Sequence, residues 1–302
     1  MRTVRTTVSD LDESLQDHRQ AGPTVSRMLV GAQLRRLREA RGVTREEAGN
    51  AIRASHSKIS RLELGRTSFK RRDVADLLTL YGVTDDAERA TLLSLAEQAG
   101  VPGWWQAYGD VVPGWFDAYL GLEQAACVIR SYEVQFVPGL LQTEEYARAV
   151  IQLGRRDVTG PEVERRVALR MRRQELLHRR SNPPKLWTVI DETALRRLIG
   201  GPATMRAQIE HLIRVSELPQ VTVQIMPLCA GAHPGAAGPI TILRFPEGEL
   251  PDVVYLEQLA GALYLDKPAE TERYWHLMNR LDIEAEQPGA AAATLRRILK
   301  EI

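Results

Sequence analysis

The chain has 302 residues, 44% of them hydrophobic and 26% charged, with a formal net charge of +1. That balance excludes a disordered chain and leaves room for about two globular domains. Two cysteines, Cys127 and Cys229, without a CxxC spacing exclude a readable disulfide framework or structural zinc site, and no apolar run reaches the roughly 18 residues of a membrane span.

The chain opens "MRTVRTTVSDLDESLQDHRQ", without the apolar segment of a signal peptide, so a cytoplasmic protein is expected. Residues 1–25 are polar and weakly periodic and read as a flexible arm. Five helical patterns then run from residue 28 to residue 100. The first, "LVGAQLRRLREARG", puts Leu29, Leu34, Leu37 and Ala40 on one stripe and stops at Gly42. The second starts at Thr44 with Glu47 three residues on, the capping-box spacing. A third runs from Ser55 to Gly65, and a fourth, "RRDVADLLTLYG", stops at Gly82. The fifth opens at Thr84 with Asp85, Asp86 and Glu88, which suit the positive end of the helix dipole, and ends at Gly100.

Charge is unevenly spread along this region. Residues 31–72 hold twelve Lys/Arg against four Asp/Glu, whereas residues 101–154 hold two against six. A charge run alone is the ordinary mark of a solvated helix face. One confined to a single segment is also the electrostatic footprint of a polyanion-binding surface.

The third helix favours the second reading. At about 100° per residue, Ile59 and Leu62 fall on one side, and Ser57, Ser60 and Arg61 point the other way with His56 and Lys58 on the flanks. Small hydroxyls permit close approach in a groove, and one guanidinium can fork onto guanine O6 and N7. The preceding helix would bring its N-terminal amides and Arg45 to a phosphate, with Arg66, Lys70, Arg71 and Arg72 flanking that contact.

At "RxxRGVTREEA" and "SxSKISRLELGR" the chain resembles the Cro/repressor-like (Xre) helix-turn-helix family, over roughly residues 31–82. The resemblance implies base contacts from His56, Ser57 and Arg61 and backbone contacts from Arg45, Ser55, Lys58 and Arg66, with Lys70 beside them. The family's usual "EELAxxLGVS" is replaced here by "EEAGNAIRAS". Gly49 therefore falls inside a helix, and Arg53 stands at the turn glycine's place, so the turn is expected to depart from the family's.

Residues 101–120, "VPGWWQAYGDVVPGWFDAYL", are too aromatic for a free linker and read as a packed connection. Beyond them, "KLWTVI", "VTVQIM", "ITILRF" and "DVVYLEQ" are strand-like. The helical patterns "PEVERRVALRMRRQELLHRR", "TMRAQIEHLIRVSEL", "ETERYWHLMNRLDIE" and a C-terminal amphipathic segment surround them. That mixture predicts an α+β domain with a small sheet. Residues 155–180 carry nine Arg against four acidic residues, a face expected to pair with the acidic 101–154 segment or another subunit.

Three constellations in this region are candidates for chemistry. Asp191 and Glu192 have the spacing for acid–base work, but also for capping the helix that follows. "GAHPGAAGP" surrounds His233 with glycines but lacks phosphate-loop spacing and reads as a strand connection. Cys127 and Cys229 with His178, His211 and His276 have no local catalytic signature. No catalytic residue, cofactor or metal is therefore predicted.

"VPGLLQTEEYAR" and its surroundings resemble the C-terminal domain of actinobacterial Xre-type regulators, over roughly 104–282. This implies a regulator, often paired with small partner proteins in antitoxin-like arrangements.

The expectation is thus a mainly α, multidomain protein. An arm (1–25), a five-helix DNA-binding domain (26–100) and a packed connection (101–120) precede an α+β domain (121–302) for dimerisation, partner binding or effector sensing. The expected partner is double-stranded DNA, bound by a homodimer on a pseudo-palindrome. The alternative is an antitoxin-like protein that binds a small partner and uses DNA for autoregulation.

Overall fold

A computed structural model describes residues 23–65, 67–154, 159–246 and 250–302. These form two compact units, one of residues up to Gln106 with Ala118–Ala125, the other of Ala107–Asp117 with Ala126–Ile302.

The first unit contains α1 (Pro23–Ala40), α2 (Arg45–Ala51), α3 (His56–Glu63), α4 (Arg71–Leu80) and α5 (Asp86–Gln98). Helix α1 begins at Pro23, inside the stretch read as an arm; the arm's residues 1–22 lie outside the described residues. Proline suits a first helical turn because its missing N–H has no helical partner there. The buried stripe of α1 is also one step from the expected one. Val30 and Leu34 are buried and Leu37 packs against them, a four-then-three spacing that keeps one face; Leu29 is half-buried and Ala40 is exposed.

Ala48, Ile59, Leu62, Val74, Leu77, Leu78 and Leu92 complete this core. Glycine permits one crossing directly, since a Cβ on Gly31 of α1 would lie 2.5 Å from the Leu62 carbonyl oxygen of α3.

The Pro/Gly aromatic segment contributes to both units. Trp105 is buried with Trp104 edge-on to it at 5.9 Å, and the Trp104 indole N–H donates to Gln124 Oε1 at 3.1 Å. Helix α6 (Gly114–Ala125) follows.

The second unit is built on a six-stranded sheet of order β3-β2-β1-β4-β5-β6. Strands β1 (Val128–Glu133), β2 (Lys185–Asp191) and β3 (Val221–Met226) are parallel. Parallel neighbours need long crossovers. Helices α7 (Glu144–Gly154) and α8 (Gly160–Gln174) lie between β1 and β2, and α9 (Glu192–Arg196) and α10 (Pro202–Val215) between β2 and β3. Strands β4 (Ile240–Arg244), β5 (Val253–Gln258) and β6 (Gly261–Leu265) continue the sheet antiparallel from β1. Helices α11 (Pro268–Glu284) and α12 (Ala291–Glu301) close the chain.

The four strand-like runs are β2, β3, β4 and β5; β1 and β6 are additions to them. In β1 the polar Arg130 points into the same layer as Tyr132, which breaks the apolar pattern. Its guanidinium lies 5.3 Å from the Trp187 ring and 4.9 Å from the Trp275 ring, bonded to Asn279 and paired with Asp282. Met278 and Leu281 of α11 pack on that layer with Tyr132, Val189, Ile240 and Val254.

Candidate nucleic-acid interface

Helix α2 begins where the sequence places it. Thr44 Oγ1 accepts from the Glu47 N–H at 3.2 Å, and the Thr44 N–H donates to Glu47 Oε2 at 2.7 Å. The second bond holds the Glu47 carboxyl below the usual carboxylate range.

The turn into α3 explains the unusual glycine. Gly49 is buried, and a Cβ there would lie 2.6 Å from the Ala54 carbonyl oxygen, so only hydrogen at this position lets the two helices approach. Ala54 N–H then donates to Gly49 O at 2.8 Å. The helix-interior penalty of about 1 kcal/mol for glycine accompanies that approach. Arg53 holds the turn with φ of 54°, in the left-handed region that a residue with a Cβ enters only at a cost.

Helix α3 starts at Ser55, whose Oγ accepts from the Lys58 N–H at 3.2 Å. Its C-terminal end is tied down by Glu63, whose buried carboxylate accepts from Arg38 Nη2 at 3.2 Å and from Arg45 Nε at 3.1 Å. The Glu63 bond raises the Arg38 guanidinium further above its ordinary value. An ion pair this deep is costly to break from one side, so it fixes α3 against α1 and α2.

With Ile59 and Leu62 buried, α3 turns His56, Ser57 and Arg61 outward; all three are exposed and Ser60 is half-buried. Arg61 has no hydrogen-bond or ion-pair partner among the described residues, and the same holds for Lys70 just before α4. His56 Nε2 lies 3.4 Å from Ser57 Oγ.

The expected phosphate ligands are more heavily engaged. Lys58 Nζ sits 2.7 Å from Asp73 Oδ2, Ser55 spends its oxygen on the cap, and Arg45 keeps 43% of its side chain exposed while paired to Glu63. Arg66 lies outside the described residues. Arg53 was not among the candidates, although its place in a turn short of glycine marked it; it is exposed and unpaired among the described residues.

Two domain families match this chain. Residues 29–92 match a helix-turn-helix domain, and residues 116–297 match a domain of unknown function, DUF5753. The chain belongs to the DUF5753 family. The helix-turn-helix match points to a DNA-binding regulator rather than an enzyme. No curated protein and no solved structure matches the chain significantly. Among the described residues, no helix is long and apolar enough to cross a membrane.

In the DUF5753 region, the acidic pair at the end of β2 is used structurally. Asp191 Oδ1 accepts from the Thr193 N–H at 2.9 Å, which caps α9. Burial pushes Glu192 up, but the Leu228 N–H at 3.0 Å and Arg196 pull harder and leave its carboxyl below the usual range.

The fold brings His233 to Asp191, a pairing that sequence distance hides. His233 Nε2 lies 3.5 Å from Asp191 Oδ2 and 3.4 Å from the Tyr132 hydroxyl, and its Nδ1 accepts from the Gly235 N–H at 3.2 Å. This closes the glycine-rich loop over the end of β1. Cys229 is exposed, the Cys127 thiol donates to Arg244 O, and burial lowers His211. His178 and His276 are exposed, the latter 3.8 Å from Glu272.

One arginine of the basic α8 makes the expected pair with the acidic segment, and two others are held by their own helix or by a neutral side chain. Arg165 bonds Asp110 at 2.6 Å, Arg166 bonds Glu162, and Arg170 bonds Gln142.

Proposed function

We propose that this protein is a sequence-specific DNA-binding transcriptional regulator of the Cro/repressor-like type, with α3 lying in the major groove. One observation carries the reading. The outward face of α3 combines small hydroxyls with an unpaired guanidinium, Arg61, on a helix locked from behind by Ile59, Leu62 and Glu63. His56, Ser57 and Arg61 read base edges, and Arg45, Lys70 and the Ser55 hydroxyl meet phosphates. Lys58 joins them only by sharing its ammonium with Asp73.

Residues 26–100 carry the reading head. A single module of this kind covers roughly 600–1,000 Å² of its surface on DNA, so specific affinity calls for two modules on half-sites about 34–36 Å apart. The region of residues 121–302 supplies the dimer contact, and the protein works in the cytoplasm, where its DNA is. Footprinting of the full chain on genomic DNA tests both parts. A protected pseudo-palindrome with that spacing is expected; uniform protection without sequence preference would reduce the role to non-specific coating.

A further inference from the structure

Two exposed apolar side chains of the second unit, Leu153 at 65% and Leu198 at 49%, line the same groove. It lies past the carboxyl ends of β1 and β2, between α7 and the segment after α9, where parallel sheets commonly present binding crevices. Its floor is small: Ala149 and Gly200 approach so closely that a Cβ on Gly200 would sit 3.1 Å from the Ala149 methyl. Phe136 adds an aromatic wall. At the mouth stands Arg197, exposed and without an ion-pair partner among the described residues. Its neighbour Arg196 is consumed by Glu192 and Glu301.

We infer that this groove docks a short segment of another protein that inserts one large apolar side chain between Leu153 and Leu198 and sets a carboxylate on Arg197. The apolar walls over a small floor form the kind of pocket that takes a single anchor residue. Arg197 supplies the charge complementarity that fixes orientation and rejects basic segments. The groove is open rather than enclosed, which suits a helix or extended peptide laid along it better than a small molecule. All of the residues that line the groove belong to the second unit.

The test uses the full chain and an array of short synthetic peptides, each with one Leu or Phe anchor and, three or four residues away, either Asp/Glu or Lys. Acidic peptides are expected to bind at least about tenfold more tightly than their Lys counterparts. Arg197→Glu should invert that preference, and Leu198→Asn should weaken both sets. Leu153→Asn, on the opposite wall, repeats the test should Leu198→Asn fold poorly. Equal binding of the two peptide sets, or binding indifferent to Leu153→Asn and Leu198→Asn, would overturn the inference. So would a wild-type dimer that these two variants dissociate, which would give the groove to a second copy. Loss of DNA binding on Arg197→Glu would make that residue a phosphate contact and overturn it equally.

Discussion

Two arginine-rich helical regions look alike in the sequence but differ in how much of their charge the fold neutralises. In α8, Arg165, Arg166 and Arg170 bond Asp110, Glu162 and Gln142, and the Arg173 guanidinium lies 5.1 Å from the Phe116 ring. Around α3, Arg61, Lys70 and Arg53 are exposed and unpaired among the described residues. A local surplus of positive charge is therefore a weak signal for a polyanion surface. The stronger one is a cation that the fold declines to neutralise, set beside a small-residue helix face.

The largest expected effect tests whether the α3 face is oriented by its buried side. Ile59 is 1% exposed, so Ile59→Ala should destabilise the first unit by about 2–5 kcal/mol through lost burial and the cavity left behind. Hydrogen exchange at α1–α5 amides reads that unit alone. Unchanged protection there would mean that α3 is turned the other way and that its polar face is not presented to DNA.

The next effect contrasts the two regions directly. Arg61→Ala should cost about 1–3 kcal/mol on the selected DNA site and relax preference at one base pair. Arg165→Ala should leave DNA affinity unchanged and remove only contacts within the second unit: the exposed Asp110 pair, the bond to Ala107 O and the Tyr108 ring contact. Titration of both variants against selected and random DNA checks this. Equal weakening of the two DNAs by Arg61→Ala would demote Arg61 to a phosphate contact.

A smaller effect concerns what the α8 arginines do instead. Burial and the nearby Glu257 charge push the Glu133 carboxyl up to about 8, against a pull from Arg170 and Arg173. The folded chain thus keeps a proton on Glu133 that the unfolded chain releases near the ordinary carboxylate range. Its stabilising contribution is complete below that range and is lost as pH rises toward 8. Glu133→Gln should flatten this dependence and gain about 1–2 kcal/mol over wild type at pH 8, read from hydrogen exchange of the sheet amides. Parallel curves for the two proteins would show that Glu133 is ionised throughout, with the Arg170 and Arg173 charges outweighing its burial.

Legibility in the sequence followed the range of the interactions involved. Thr44 as a cap, Ser55 as the start of a helix, Ile59 and Leu62 as a buried stripe, and β2 to β5 all rest on local patterns, and the structure agrees with each. Strand β1 was hidden because Arg130 reaches its partners Asn279 and Asp282 from the far end of the chain. Strand β6 is short, half-exposed and joined to β5 by a tight turn, so it shows little alternation. In the candidate site, exposure of the α3 face was readable from the wheel. The pairing of Lys58 with Asp73 was not, because it depends on how α4 crosses α3.

The smallest expected effect asks why the turn carries an arginine at all. Arg53 has φ of 54°, a conformation that costs an L-residue roughly 1–2 kcal/mol and glycine nothing. Glycine in turn loses more chain entropy on folding, which offsets part of that gain. Arg53→Gly should therefore stabilise the first unit by about 0.5–1 kcal/mol net. Local strain that folding does not require is commonly kept where it serves a site. Here the strained residue lies between the two helices proposed to face DNA, with an exposed guanidinium that is unpaired among the described residues. The same variant should then bind DNA more weakly, by a similar factor on selected and random sequences. The slope of log affinity against log salt should become shallower by about one, as for the loss of a single phosphate contact. A more stable variant with an unchanged salt slope would separate the turn from the interface and leave Arg61 and Lys70 as its unneutralised cations.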